Sequence, residues 1–252
     1  MMALETARPH LIDRLPKPRG RLAADAPLGA QTWFRTGGPA EVLFRPADTE
    51  DLASFLKALP ADLPVTVLGV GSNLLVRDGG IKGVVIRLMR GFTGITVEGS
   101  EVVAGAGALD LNVALTARDH ALAGLEFLSG IPGTIGGAFP TNAGAYGGEL
   151  SDVLVSAEIV DRAGIVRTVV ASQLGLGYRK SNAPADWIFT SARLRAAPGD
   201  QPPIRTATVV MPLPPRRCAG FPSATAHRSA RGRGGAPPRR AIRCPRQWRR
   251  RD

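Results

Sequence analysis

The sequence is poor in cysteine, in histidine, in aromatic residues and in long apolar runs, and each shortage excludes something. With only Cys218 and Cys244 in 252 residues, there is no disulfide scaffold and no cysteine metal cluster. His10, His120 and His227 are too scattered to form a metal site, so no metal is expected. No stretch of about 18 uncharged apolar residues offers a membrane span. The opening MMALETARPHLIDRLPKPRG lacks the apolar core of a secretory signal, which predicts a cytoplasmic protein. No Ser-His-Asp or Cys-His arrangement stands out, and hydrolytic catalysis has little support.

Acidic residues are missing from one region in particular. Residues 211–252 hold 12 arginines, no lysine and a single acid, Asp252, whereas residues 1–210 hold 20 basic and 20 acidic side chains. The formal charge of +11 therefore belongs to the tail. Seven prolines in those 42 residues, without a period of 2 or 3.6, predict a disordered segment. Such a segment cannot offset about 1 to 2 kcal/mol per residue of backbone ordering. Its arginines would attract nucleic-acid phosphates, but no aromatic recognition module accompanies them. Only nonspecific, salt-sensitive binding would follow, and no specific nucleic-acid partner is expected.

The rest of the chain has the patterning of a globular α+β protein. AEVLFRPADTEDLASFLKALP reads as a strand through Val42 to Phe44, then a helix capped by Asp48 with Leu52, Phe55, Leu56 and Leu59 on one face. LPVTVLGVGSNLLV gives a strand and a glycine turn, and VVIRL at 84–88 a third strand. GITVEGSEVVAGAGA reads as two strands meeting at Gly-Ser, and LDLNVALTARDHALAGL as a helix over 109–123 with Leu111, Leu115, Leu122 and Leu125 broadly on one side. VLVSAEIVDRAGIVRTVV is a hairpin turning at DRAG, and WIFTSARLRA, within 187–195, resumes strand alternation. The boundaries predicted are an N-terminal extension at 1–29, subdomains at 30–90 and 91–197, and an aberrant tail at 198–252.

Three stretches carry chemistry. In GVGSNLLV, Gly69 and Gly71 follow a strand and present Ser72 and Asn73, a turn whose backbone N–H groups can nest phosphate oxygens. A plain strand-to-turn connection is the alternative, since the spacing fits neither a dinucleotide fingerprint nor a phosphate loop. GIPGTIGGAFPTNAGAYGG, residues 130–148, has nine glycines and prolines in nineteen positions. Gly130, Gly133, Gly136, Gly137 and Gly144 bare the backbone where a flat or phosphorylated ligand could lie, and Thr134, Thr141 and Asn142 offer polar contacts. The alternative there is a tightly packed turn without a ligand. GLGYRKSN places Tyr178, Arg179, Lys180 and Ser181 on a loop, where an arginine can pair with a carboxylate or remain solvated beside a packed tyrosine.

Four stretches in order, TWFRTGGPAE, LGVGSNLLV, GLEFLSGIPGTIGGAFPTNAGAYGGE and GYRKSN, resemble the UDP-N-acetylenolpyruvoylglucosamine reductase family over roughly residues 20–197. The resemblance implies an FAD-binding fold of the vanillyl-alcohol-oxidase (PCMH) type, in two α+β subdomains with FAD between them. It assigns FAD contacts to Gly69, Gly71, Ser72 and Asn73, to Gly130, Ile131, Pro132 and Gly133, and to Gly136, Gly137 and Asn142, with Arg35 helping to shape the site. It implies hydride transfer from NADPH to FAD and then to UDP-N-acetylglucosamine enolpyruvate, giving UDP-N-acetylmuramate for peptidoglycan synthesis. Arg179 takes the family's catalytic position, engaging the enolpyruvyl carboxylate.

The resemblance stops before the end of the chain. Neither the family's GGSTF-like serine element nor its late glutamate is present, and Glu158 is the last glutamate. The family motifs and the hydrophobic periodicity are lost together, as expected where a GC-rich coding region is read out of frame. An inactive FAD-binding fragment is the alternative to a working reductase.

Overall fold

In the computed structural model the described residues are 10–199, and they form two principal sheets of different topology. Strands β1 (Arg21–Pro27), β2 (Pro39–Arg45), β3 (Val65–Leu68) and β4 (Ile81–Arg87) make the first, in the order β1-β2-β4-β3. β1 is antiparallel to β2, while β2, β4 and β3 are parallel, with helix α1 (Thr49–Ala58) crossing from β2 to β3. β4 is buried on both faces, which is why VVI is a continuous apolar run: Val84 and Ile86 join the core of α1, and Val85 packs with Leu28, Leu43 and Leu68.

The Asp48 carboxylate caps α1 by accepting the Asp51 N–H at 2.9 Å, and Leu52, Phe55 and Leu56 turn inward with Leu59 just past the helix end. Asp51 is buried and accepts three backbone N–H groups, from Arg19, Gly20 and Ala47, at 2.7 to 2.9 Å. It thereby ties the N-terminal segment to the start of the helix.

The second sheet contains β5 (Ile95–Glu98), β6 (Glu101–Gly105), β7 (Leu154–Val160), β8 (Val166–Val170) and β9 (Ile188–Arg195), ordered β8-β7-β9-β6-β5. Every neighbouring pair is antiparallel. Asp161 shapes the β7–β8 turn by accepting the N–H groups of Ala163 and Ile165. Helix α2 (Asp110–Asp119) follows β6, and Phe139 stacks on Phe189 with ring centroids 3.9 Å apart. No helix among the described residues is long and apolar enough to cross a bilayer.

Three expectations change. The described part of 1–29 is not a mere extension: Leu11, Leu15 and Leu28 are core residues and β1 is an edge strand. RLAADAP lacks the β-branched residues that announce a strand, and pairing with β2 overrides its propensity. The boundary at 90/91 does not divide the cores either, because Ala106, Val160 and Ile188 pack into the cluster of α1. Finally, α2 ends at Asp119 and buries Asp110, Val113, Ala114 and Ala117, with Leu111 and Leu115 only half-buried. Small residues let the helix approach β6 closely, and Leu122 and Leu125 reach the same core from beyond it. The predicted tail at 198–252 lies outside the described residues apart from Pro198, which pairs with Leu122, and Gly199, whose N–H donates to the Ala121 carbonyl at 3.0 Å.

Candidate functional site

The two glycine-rich turns meet. A β-carbon at Gly69 would lie 2.5 Å from the Thr134 Oγ1, closer than side chains pack, so the bare backbone lets the turn after β3 and the GIPGT segment share a wall. Gly71, at φ +67°, packs on Thr32 and accepts the Trp33 N–H at 3.0 Å. The TWFRTGG stretch therefore braces this turn from behind. Arg35, at φ +52°, donates its N–H to the Thr32 carbonyl at 3.2 Å and lines neither cleft at the junction.

Two adjoining clefts open where the turns meet. The larger, about 540 Å³, takes in Gly69, Gly71, Ser72 and Asn73 from the first turn. Gly130, Ile131, Pro132, Gly133 and Gly137 come from the second, and Arg179 from its own loop. The smaller and more apolar, about 300 Å³, shares Gly69, Thr134 and Gly137 and adds Gly136, Trp187 and Phe189. Glycine in the second turn answers two demands. At Gly130 and Gly136 a β-carbon would strike Tyr146 and Ala106, so packing requires the glycine. At Gly137 a β-carbon would meet, among the described residues, only Thr134 Oγ1 at 3.5 Å, and the residue lines both clefts.

Asn142 lines neither cleft. It is buried at φ +40°, its Nδ2 donates to the Gly177 carbonyl at 3.2 Å, and its Oδ1 accepts the Ser151 N–H at 2.9 Å. It fastens the glycine segment to the loop of Arg179. That loop is closed by reciprocal hydrogen bonds between Gly177 and Lys180, and Arg179 sits at its tip with φ +53°. The guanidinium donates to the Gly144 carbonyl at 3.3 Å, and no carboxylate among the described residues pairs with it. An unpaired cation at a cleft rim is suited to an anionic ligand. Tyr178 is 84% exposed rather than packed, and Ser181 donates to the Leu174 carbonyl at 3.3 Å.

Sequence reasoning passed over Asp110. Its side chain is fully buried, both carboxyl oxygens lack a hydrogen-bond partner among the described residues, and it lines the larger cleft. Burial pushes its pKa up to about 8. An aspartate in the first turn of a helix reads as an ordinary helix-start residue, and nothing in LDLNV signals what the fold places over it.

A family model described as FAD binding domain matches residues 40–169. The UDP-N-acetylenolpyruvoylglucosamine reductase of Azorhizobium caulinodans is 58% identical over 192 residues, 76% of this chain and 62% of that protein. The chain belongs to the UDP-N-acetylenolpyruvoylglucosamine reductase family. A solved reductase of this name from Thermus caldophilus matches with TM-score 0.62 and 36% identity, over 73% of this chain and 64% of that one. A 6-hydroxy-D-nicotine oxidase from Arthrobacter nicotinovorans, 19% identical, matches with TM-score 0.59 over 72% of this chain and 43% of its own, and shares the fold alone. The fold of this reductase-family chain is thus the α+β FAD-binding fold of the vanillyl-alcohol-oxidase type. The chain spans 62% of the length of the Azorhizobium reductase.

FAD fits this site on the chain's own features. Consecutive backbone amides at the Gly69–Asn73 turn suit a diphosphate, the smaller apolar cleft suits a flat ring, and the shared wall of Gly69, Thr134 and Gly137 joins the two.

Proposed function

We propose that the chain serves as an FAD-dependent reductase of UDP-N-acetylglucosamine enolpyruvate, with NADPH as reductant and UDP-N-acetylmuramate as product, in the cytoplasm. The observation that carries this reading is the close approach of Gly69 and Thr134, which gives two adjoining clefts a shared wall, with Arg179 lining the larger. Gly69, Gly71, Ser72 and Asn73 hold the diphosphate, and Gly130–Gly133 and Gly137 bring bare backbone against the rest of the cofactor. Gly136 and Asn142 serve indirectly, by keeping the second turn in place. Bound FAD supplies hydride chemistry. Arg179 pairs with the substrate carboxylate and stabilises negative charge that develops next to it when the double bond is reduced. Asn142, through Gly177, sets where that guanidinium sits.

A second reading is favoured by the absence of any glutamate after Glu158 and of a GGSTF-like serine element: the chain binds FAD and does not turn over. One purified preparation separates the two. Flavin absorbance with NADPH oxidation dependent on the UDP-sugar enolpyruvate supports the reductase. Flavin absorbance without substrate-dependent oxidation supports the fragment, and absence of flavin binding from added FAD refutes both.

A further inference from the structure

The mechanism just described makes no use of Asp110, although it is a buried, unpartnered ionisable group in the wall of the larger cleft. A β-carbon at Gly133 would come within 2.9 Å of its Oδ2, so the glycine of GIPG is what leaves space for the carboxyl. Its backbone is fixed too, since the Asp110 N–H donates to the Gly133 carbonyl at 3.3 Å. The carboxyl therefore lies directly against the segment that faces Ser72 and Asn73 across the cleft.

Among the described residues no neighbouring charge compensates it. On α2, Arg118 pairs with Asp119. In the segment before Gly130, Glu126 accepts the Gly124 N–H. On β5 and β6, Glu98 and Glu101 both pair with Arg193. Across the cleft, Arg179 donates to the Gly144 carbonyl. Burial is the sole cause of the upward shift to about 8, so the carboxyl is neutral at pH 7.

We propose that Asp110 is a proton-dependent binding determinant of the cofactor cleft, which accepts the dinucleotide diphosphate while this carboxyl is neutral and rejects it once the carboxyl is ionised. The inference rests on the FAD reading of the same cleft. Ionisation places a desolvated negative charge behind Gly133, in the wall of the same cleft that receives the diphosphate on its Gly69–Asn73 turn, where a buried charge is screened less than in bulk water. By reciprocity, bound FAD raises the pKa of the carboxyl further.

The experiment is FAD titration of the full chain, followed by flavin fluorescence between pH 6.5 and 9.5, for wild type and Asp110→Asn. Wild-type Kd should be level below pH 7.5 and rise about tenfold between pH 7 and pH 9, the change expected for a single proton with a pKa near 8. Asp110→Asn should bind FAD with a Kd that stays level across the range. A wild-type Kd that stays level, one that falls as pH rises, or an equal rise in Asp110→Asn overturns the proposal. No FAD binding at any pH instead overturns the FAD reading itself. Infrared spectroscopy of wild type tests the inference without a variant: a protonated-carboxyl band should persist at pH 7 and survive to higher pH with FAD bound. Titration of that band unchanged by FAD overturns the proposal.

Discussion

At Asp110 a single carboxyl couples stability to pH in the direction opposite to most acidic side chains. Its pKa is about 8 in the fold and 3.8 when solvated, so between those values the folded chain holds a proton that the unfolded chain releases. Stability is therefore highest below pH 4 as far as this group is concerned, falls by up to about 1.4 kcal/mol per pH unit, and levels off above pH 8. Asp110→Asn should remove this slope. Denaturant midpoints from pH 5 to 8 that remain parallel for the two proteins would show that the carboxyl is not buried as described. Arg179 gives the other residue-scale prediction. On the proposed reading, in which the charge it meets develops on the substrate, Arg179→Ala should lower substrate-dependent NADPH oxidation by about 10² to 10³ while FAD affinity changes less than about twofold. Arg179→Lys should recover little, since an ammonium cannot reproduce the planar fork. Comparable losses in flavin affinity would place Arg179 with the cofactor instead.

Among the elements, α1 shows how far local pattern reaches. Asp48 and the Leu52-Phe55-Leu56 face follow from local spacing, because a helix cap and a helical stripe depend on neighbours within a turn or two. Two of the three partners of Asp51, Arg19 and Gly20, lie 32 and 31 residues away, and no local pattern reveals them. Asp51→Ala should cost about 3 kcal/mol and lower Tm by several degrees, because it removes a buried carboxylate that accepts the part-buried N–H groups of Arg19, Gly20 and Ala47. A Tm within one degree of wild type would mean that the N-terminal segment is not anchored there. β1 and α2 were less legible for related reasons. RLAADAP becomes a strand only through β2, and α2 turns Val113, Ala114 and Ala117 inward because β6 accepts a close helix, which leucine spacing cannot foresee.

For the molecule as a whole, the two sheets meet through the core around α1 and through the contact of Gly69 with Thr134. A ligand lying across that contact binds the folded chain alone. FAD at about one hundred times its Kd should add roughly 2.7 kcal/mol and raise Tm measurably. The same increment is expected in Arg179→Ala, and a thermal melt insensitive to FAD would count against the cleft. Both turns could be named as cleft-lining from their glycines, but the division of labour within them could not. Gly130 and Gly136 serve packing, Asn142 braces a loop, and Gly137 faces the clefts, distinctions that depend on which atoms arrive from elsewhere in the chain.

The sequence by itself determined the family, the order of most strands and helices, and the stretches that line the cleft, since these reside in short-range spacing and contiguous motifs. Tertiary structure alone decided that β1 completes a sheet, that two turns some sixty residues apart share a wall, and that Asp110 lies sealed within it. Burial and electrostatic isolation are properties of what surrounds a group in space, and those neighbours come from parts of the chain that no local pattern joins.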